Sequence, residues 1–97
     1  MQGPVTDSLR VLLVEDEPAL ARLIERTLSE EGYAVVVALD GESALLEANL
    51  RSPDLVVLDV GLPRMSGLEV CRRLRAQQHS MPILMLAARD AVPDRVA

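Results

Sequence analysis

Four short, largely apolar runs divide the chain at regular intervals. They are Leu9–Val14, Ala34–Leu39, Leu55–Leu58 and Ile83–Leu86. Because the runs hardly alternate with polar residues, they are typical of strands that are buried on both faces, as the strands of a parallel sheet are. The pattern therefore predicts four parallel strands, numbered β1 to β4 in chain order.

The segment after the first run has the spacing of an amphipathic helix, α1. Pro18 suits the first turn of this helix, and Gly32 is placed to end it in a left-handed conformation. Residues at helical spacing predict one apolar face. They are Leu20, Leu23, Ile24, Thr27 and Leu28.

Two further segments between the runs have helix-start signals. Asp40 can cap a helix α2, whose apolar stripe is narrow and consists of Ala44, Leu45 and Ala48. The pattern Ser66-Gly-Leu-Glu69 is a capping box that starts a helix α3. Its inward face is Val70, Cys71 and Leu74, and Asp90–Ala97 predicts the start of a fourth helix.

Strands that alternate with helices predict a doubly wound α/β fold with a parallel sheet. Right-handed crossovers in the strand order 2-1-3-4 would place α1 on one face of the sheet and α2 and α3 on the other. In that order β1 and β3 are neighbours at the point where the strand order reverses. Ligands bind in open α/β sheets at this point, beyond the carboxyl ends of the strands.

Acidic residues follow both strands at the predicted reversal point. The turn Glu15-Asp16-Glu17 follows β1, and Asp59 follows the apolar part of β3. Neighbouring strands lie about 4.8 Å apart, so Asp16 and Asp59 could share one cation. Oxygen ligands in an open site favour Mg²⁺, with Mn²⁺ as a substitute. Asp59 could otherwise be a nucleophile or a turn-forming residue, and the acidic turn could simply favour a helix N-terminus.

Composition narrows the function classes. The chain has 97 residues and a net charge of −5, which indicates one domain at most and no general attraction to nucleic acid or anionic membranes. The single Cys71 excludes an intrachain disulfide and a cysteine-based metal site. Because no apolar run reaches transmembrane length, we expect a cytoplasmic protein with no membrane partner and a polar N-terminal tail, Met1–Ser8.

Four stretches carry a resemblance to a known family. They are Val11–Pro18, Asp40–Ala44, Pro53–Pro63 with Gly67 and Leu68, and Pro82–Leu86. Together they resemble a receiver domain of bacterial two-component response regulators, of the kind joined to a winged-helix DNA-binding domain. The resemblance implies a flavodoxin-like fold with the strand order 2-1-3-4.

The resemblance also implies a function. Asp59 would accept a phosphoryl group from a sensor histidine kinase, by slow self-catalysed transfer rather than by conventional enzyme turnover. Mg²⁺ would be held by Asp16, Asp59 and the Gly61 carbonyl, with Glu15 acting directly or through water. DNA would be contacted only through an output domain that lies outside this chain.

Two features depart from the family pattern. Ala87 stands at the switch position, where family members usually carry Thr or Ser, and alanine has no hydroxyl to donate to a phosphoryl oxygen. The family pattern continues beyond Ala97 through a fifth strand, a Lys and a fifth helix, whereas all ten basic residues here are Arg. We therefore predict an incomplete receiver domain over residues 9–97, whose uncovered fourth strand favours a homodimer or a swapped oligomer.

Two function classes remain open at this stage. The first is a phosphoacceptor receiver domain, and the acidic residues favour it. The second is a pseudo-receiver that acts as an interaction module without the switch, and Ala87 and the absence of Lys favour it. A flavodoxin-like carrier of a small ligand is disfavoured, because the chain has no phosphate-binding Gly-rich loop and no stacking aromatic side chain.

Overall fold

The computed structural model describes residues 8–86, which form four strands and three helices. The elements are β1 (Arg10–Val14), α1 (Pro18–Glu30), β2 (Ala34–Ala38), α2 (Gly41–Arg51), β3 (Leu55–Asp59), α3 (Gly67–Ala76) and β4 (Ile83–Leu86). These bounds agree with the predicted elements to within one or two residues. Ala87, the helix predicted over Asp90–Ala97 and most of the predicted N-terminal tail lie outside the described residues.

The strands form one parallel sheet in the order β2-β1-β3-β4. The predicted strand order is therefore confirmed. Val14 pairs with Leu58 across β1 and β3, and Asp59 pairs with Leu86 across β3 and β4. The residues that follow β1 and β3 consequently emerge at the same edge of the sheet, at its reversal point.

Side chains from alternate strand positions form two separate cores. The larger core lies between the sheet and the pair α2 and α3, and the smaller one lies between the sheet and α1. The buried side chains of the larger core are Leu12, Val14, Ala38, Ala44, Ala48, Val56, Leu58, Leu62, Val70 and Leu74. Helices therefore cover both faces, as the predicted doubly wound fold requires.

The predicted inward face of α1 is wrong at Leu23 and at Thr27, which are both exposed. Ala21 is the buried residue of this helix, and Ile24 and Leu28 pack around the same core, whereas Leu23 is 57% exposed. The small Ala21 allows the helix axis to approach the sheet. The face in contact is therefore centred on Ala21, and Leu23 lies on the opposite side at a helical period of 3.6 residues.

The helix-start and helix-stop signals act as predicted. The Ser43 amide donates to Asp40 Oδ1 at 2.8 Å, and the Glu69 amide donates to Ser66 Oγ at 3.1 Å. Gly32 follows α1 with a φ of +100°, a backbone conformation that glycine adopts without strain. The two N-caps fix where the loops that follow β2 and β3 enter α2 and α3.

The arginines of α3 form ion pairs and hydrogen bonds within the domain. Arg72 and Arg73 form ion pairs with Glu69, and the hydrogen bond from Arg73 lowers the pKa of the Glu69 carboxyl. Arg75 donates to the backbone carbonyls of His79 and Met81.

Among the described helices, none has the length and apolar character that crossing a membrane requires.

Candidate functional site

Three carboxylates lie together where β1 and β3 end. One oxygen from each of Glu15, Asp16 and Asp59 lies within 4.8 Å of the others. Glu15 and Asp59 are 1% and 2% exposed, and Asp16 is partly buried. The pairing of Val14 with Leu58 produces this arrangement, because the next residue of each strand is acidic. The structure thus brings together the acidic residues that the sequence places at the reversal point.

Backbone hydrogen bonds hold this acidic cluster in place. The Glu17 amide donates to Glu15 Oε2 at 3.2 Å, and the Gly61 amide donates to Asp59 Oδ1 at 3.1 Å. Within residues 8–86, Asp16 Oδ1 and Asp59 Oδ2 are buried without a hydrogen-bond partner. Buried polar atoms are almost always paired, so these two oxygens mark a place for a cation or a donor group.

The donor set of the acidic cluster fits a hard divalent cation. Three carboxylates are an unfavourable arrangement in the absence of positive charge, and their oxygens are ligands that Mg²⁺ and Mn²⁺ prefer. Gly61 is exposed and its amide is used by Asp59, while the metal-binding role of its carbonyl stays a prediction. The predicted switch position, Ala87, lies outside the described residues.

The loop between β3 and α3 is anchored on both sides of the cluster. The Val60 amide donates to the Leu86 carbonyl at 2.9 Å, and the Gly67 amide donates to the Val60 carbonyl at 3.1 Å. Leu62 is 7% exposed and packs into the larger core. Residues 60–67 therefore form a closed loop that starts and ends against the backbone of β3, beside Asp59.

A separate cavity of about 410 Å³ lies between the N-termini of α2 and α3. Asp40, Arg64, Met65 and Glu69 are among its lining residues, whereas none of the three clustered carboxylates lines it. The pKa of Asp40 is below its usual value, chiefly because the Ser43 backbone amide donates to it. The cavity and the acidic cluster are therefore two separate features of this edge of the sheet.

Sequence reasoning missed the part that Gly67 plays beside Asp59. A Cβ at Gly67 would lie 2.5 Å from the Asp59 carbonyl oxygen. The motif in the sequence includes Gly67 without indicating this contact, although the sequence does contain one signal for it. A glycine at the first position of a helix, directly after its Ser cap, is a poor choice for helix stability unless the backbone needs the space.

The chain matches the family described as response regulator receiver domain over residues 11–97. It is 49% identical over 94 residues to the probable transcriptional regulatory protein TcrX of Mycobacterium tuberculosis, covering 97% of this chain and 38% of that protein. It is 47% identical over 87 residues to the alkaline phosphatase synthesis transcriptional regulatory protein PhoP of Bacillus subtilis, covering 90% of this chain and 36% of that protein. The chain thus spans less than two-fifths of the length of these relatives.

Solved structures agree with the fold. The chain resembles the chemotaxis response regulator CheY4 of Vibrio cholerae with a TM-score of 0.82 and 32% identity, over 92% of this chain and 76% of that one. It resembles the receiver domain of the Francisella response regulator 1452 with a TM-score of 0.81 and 29% identity, over 92% and 74% of the two chains.

Proposed function

The chain belongs to the response regulator receiver domain family, and from this premise we propose that Asp59 is its phosphoacceptor. The chain is a receiver domain of the kind found in regulators that control transcription. The observation that supports the proposal is the buried, unpartnered Oδ2 of Asp59 beside the carboxylates of Glu15 and Asp16. The donor would be a phosphorylated histidine of a sensor kinase.

The proposed reaction uses one oxygen of Asp59 as the nucleophile. The Gly61 amide holds Oδ1, which leaves Oδ2 to attack the phosphorus. A new O–P bond forms while the P–N bond to the kinase histidine breaks, and the nitrogen leaves with the electron pair. The product is an acyl phosphate on Asp59.

We propose that Asp16, Asp59 and the Gly61 carbonyl hold Mg²⁺, with Glu15 binding directly or through water. A bound divalent cation would offset the repulsion between the carboxylates and the incoming phosphoryl group. Asp16 supports this assignment because its Oδ1 is buried without a partner among the described residues. The acidic residues therefore serve two purposes, since they hold the cation and supply the nucleophile.

A small phosphodonor tests the proposal without a kinase. The full chain is incubated with acetyl phosphate and Mg²⁺, and its intact mass is followed with time. We expect the mass gain of one phosphoryl group, which Asp59→Asn abolishes. The matched control is Asp54→Asn, which alters a carboxylate at the other end of the same strand, where Asp54 binds the Arg10 amide at 2.8 Å. Undiminished labelling of Asp59→Asn would contradict the proposal.

The partners of the whole protein belong to the same proposal. Residues 9–97 would form part of the receiver, which takes its signal from a sensor histidine kinase in the cytoplasm, without membrane contact. DNA would be bound by an output domain outside this chain. Homodimerisation through β4, where Leu84 is 54% exposed, stays a prediction.

A pseudo-receiver is the second candidate, and the identity of Ala87 favours it. Alanine has no hydroxyl, so a phosphoryl group on Asp59 would lack one charge-assisted hydrogen bond at the proposed switch position. Ala87→Thr separates the two candidates. For a receiver, beryllofluoride should shift amide resonances in the original chain, and should shift more of them in Ala87→Thr. A chain that responds in neither form would favour the pseudo-receiver.

A further inference from the structure

The first residue of α3 packs directly against the backbone of Asp59. Gly67 is buried, and a Cβ at this position would lie 2.5 Å from the Asp59 carbonyl oxygen and 2.9 Å from Val60 Cα. Cβ atoms in proteins essentially never approach other heavy atoms within 3.0 Å. The two opposing atoms belong to the backbone, so no rotation of a side chain could make room.

Hydrogen bonds connect this contact to the carboxylate. Gly67 donates to the Val60 carbonyl at 3.1 Å, while Val60 donates to Leu86 of β4 at 2.9 Å. The peptide groups on either side of Val60 are therefore held by α3 and by β4. The next residue, Gly61, donates its amide to Asp59 Oδ1 at 3.1 Å. The position of α3 thus determines where the Gly61 amide lies, and that amide determines how the Asp59 carboxylate is turned.

We propose that Gly67 is a positioning residue for the Asp59 carboxylate. Its lack of a side chain allows α3 to rest on the Asp59–Val60 backbone, and this contact fixes Asp59 Oδ2 relative to Asp16. The consequence for metal binding and phosphoryl transfer rests on the proposed function, whereas the consequence for the local structure does not.

The short distances at Gly67 indicate how strongly Gly67→Ala should weaken Mg²⁺ binding. In Gly67→Ala, α3 and the Asp59 backbone must separate by about half an ångström or more. Misplacement of a reacting group by about 1 Å can cost about 100-fold in rate. Loss of a group that orients a metal ligand typically costs about 10- to 100-fold in metal affinity. We therefore expect Gly67→Ala to weaken Mg²⁺ binding by at least about tenfold.

The chain contains a matched control at Gly41, the first residue of α2. A Cβ there would meet Val70 Cγ2 at 2.8 Å and Met65 Sδ at 3.0 Å. Gly41→Ala therefore adds the same methyl group at the same helix position, with a shortest contact of 2.8 Å in place of 2.5 Å. The crowded atoms belong to side chains of the larger core and not to the backbone of Asp59. A purely structural role for Gly67 would make the two variants behave alike.

The test compares the full chain, Gly67→Ala and Gly41→Ala. Amide resonances of metal-free protein are recorded first, then Mg²⁺ is titrated, and thermal unfolding is measured in parallel. We expect Gly67→Ala to shift the Asp59 and Gly61 amides and to weaken Mg²⁺ binding. Gly41→Ala should keep the original affinity within about twofold. Equal affinities in the two variants, with unshifted Asp59 and Gly61 amides, would overturn the proposal.

Failure of the proposed function would give a different experimental result. If the original chain itself does not bind Mg²⁺, the metal assignment fails, and the metal-free amide shifts still decide the role of Gly67. If Gly67→Ala does not fold in buffer, all three proteins are compared in about 1 M trimethylamine N-oxide, which favours compact states. A Gly67→Ala chain that stays unfolded there while Gly41→Ala folds would overturn the proposal, since Gly67 would then serve the whole fold.

Discussion

Gly61 donates its amide hydrogen to Asp59 Oδ1 at 3.1 Å, so one oxygen of this carboxylate is held by the loop that follows its own strand. The other oxygen, Oδ2, is buried and has no hydrogen-bond partner in the described part of the chain. The two oxygens of Asp59 are therefore not equivalent. This inequality suits a nucleophile, because the fold restrains one oxygen while the other stays available.

The cap of α2 gives a prediction for stability and its pH dependence. Asp40→Ala removes the oxygen that accepts the Ser43 amide at 2.8 Å, and such caps contribute about 1 kcal/mol. The backbone hydrogen bond from Ser43 lowers the pKa of Asp40 in the folded chain. Because the pKa of Asp40 is lower in the folded chain than in the unfolded chain, the ionised carboxylate stabilises the fold. This stability is fully present above the unfolded pKa of about 3.9, and it is lost as the pH falls through the folded pKa.

We therefore expect Asp40→Ala to lose about 1 kcal/mol at pH 7 and less at pH values below about 4. Urea unfolding at both pH values provides the measurement. Asp40→Asn is the control, because asparagine caps helices about as well as aspartate and does not titrate. A loss in Asp40→Ala that is the same at both pH values would show that the charge of Asp40 contributes nothing.

Gly32 gives a prediction that concerns the backbone alone. Its φ is +100°, and no heavy atom lies within 4 Å of a Cβ built there. Any cost of Gly32→Ala must therefore come from the conformation, and we expect a loss of about 1 kcal/mol or more. Gly32→Asn should cost less, because asparagine tolerates positive φ. Thermal unfolding of the two variants checks this order, and equal losses would contradict it.

Two leucines near β4, on opposite faces of the sheet, should contribute unequally to the free energy of unfolding. Leu58 is fully buried in the larger core, whereas Leu84 is 54% exposed. We expect Leu58→Ala to lower the free energy of unfolding by about 2–5 kcal/mol and Leu84→Ala by roughly 0.5 kcal/mol or less. Urea unfolding at several protein concentrations provides the comparison. A large, concentration-dependent loss in Leu84→Ala would instead indicate that Leu84 is covered by a second copy.

The acidic cluster could be predicted because its residues follow strong local signals, whereas the strand order came from the family resemblance. The apolar run Leu55–Leu58 stops at an acidic residue, and so does the run that ends at Val14. The resemblance to a receiver domain implies the order 2-1-3-4, which makes β1 and β3 neighbours, and right-handed crossovers then place the helices on the two faces. The proximity of Asp16 to Asp59 therefore needed only the order of the strands.

Features that depend on how closely two elements approach could not be predicted. Periodicity marked Leu23 as part of the inner face of α1, but the helix packs around the small Ala21 and leaves Leu23 exposed. The same holds for Gly67, because its contact with the Asp59 backbone depends on the distance between α3 and β3. Helical spacing describes which residues share a face, and the packing of neighbouring elements decides which face turns inward.

The acidic cluster predicts that one substitution will raise stability and remove the response to metal. Without a cation, Asp16 lies with Glu15 and Asp59 in a group whose oxygens are within 4.8 Å of one another. Like charges at this distance repel by a few kcal/mol at the effective dielectric of a protein surface. We therefore expect Asp16→Asn to raise the free energy of unfolding of the metal-free chain by roughly 1 kcal/mol, as measured by urea unfolding in chelator.

Added Mg²⁺ should stabilise the original chain more than it stabilises Asp16→Asn. A cation at 100 times its dissociation constant stabilises the protein that binds it by about 2.7 kcal/mol, so the original chain should gain about that much and Asp16→Asn far less. Glu17→Gln is the matched control, because Glu17 belongs to the same acidic turn but is exposed and lies outside the cluster. It should keep the full response to Mg²⁺. An Asp16→Asn chain that is less stable without metal would contradict the repulsion within the cluster. One that gains as much from Mg²⁺ as the original chain would show that Asp16 is not a ligand of the cation.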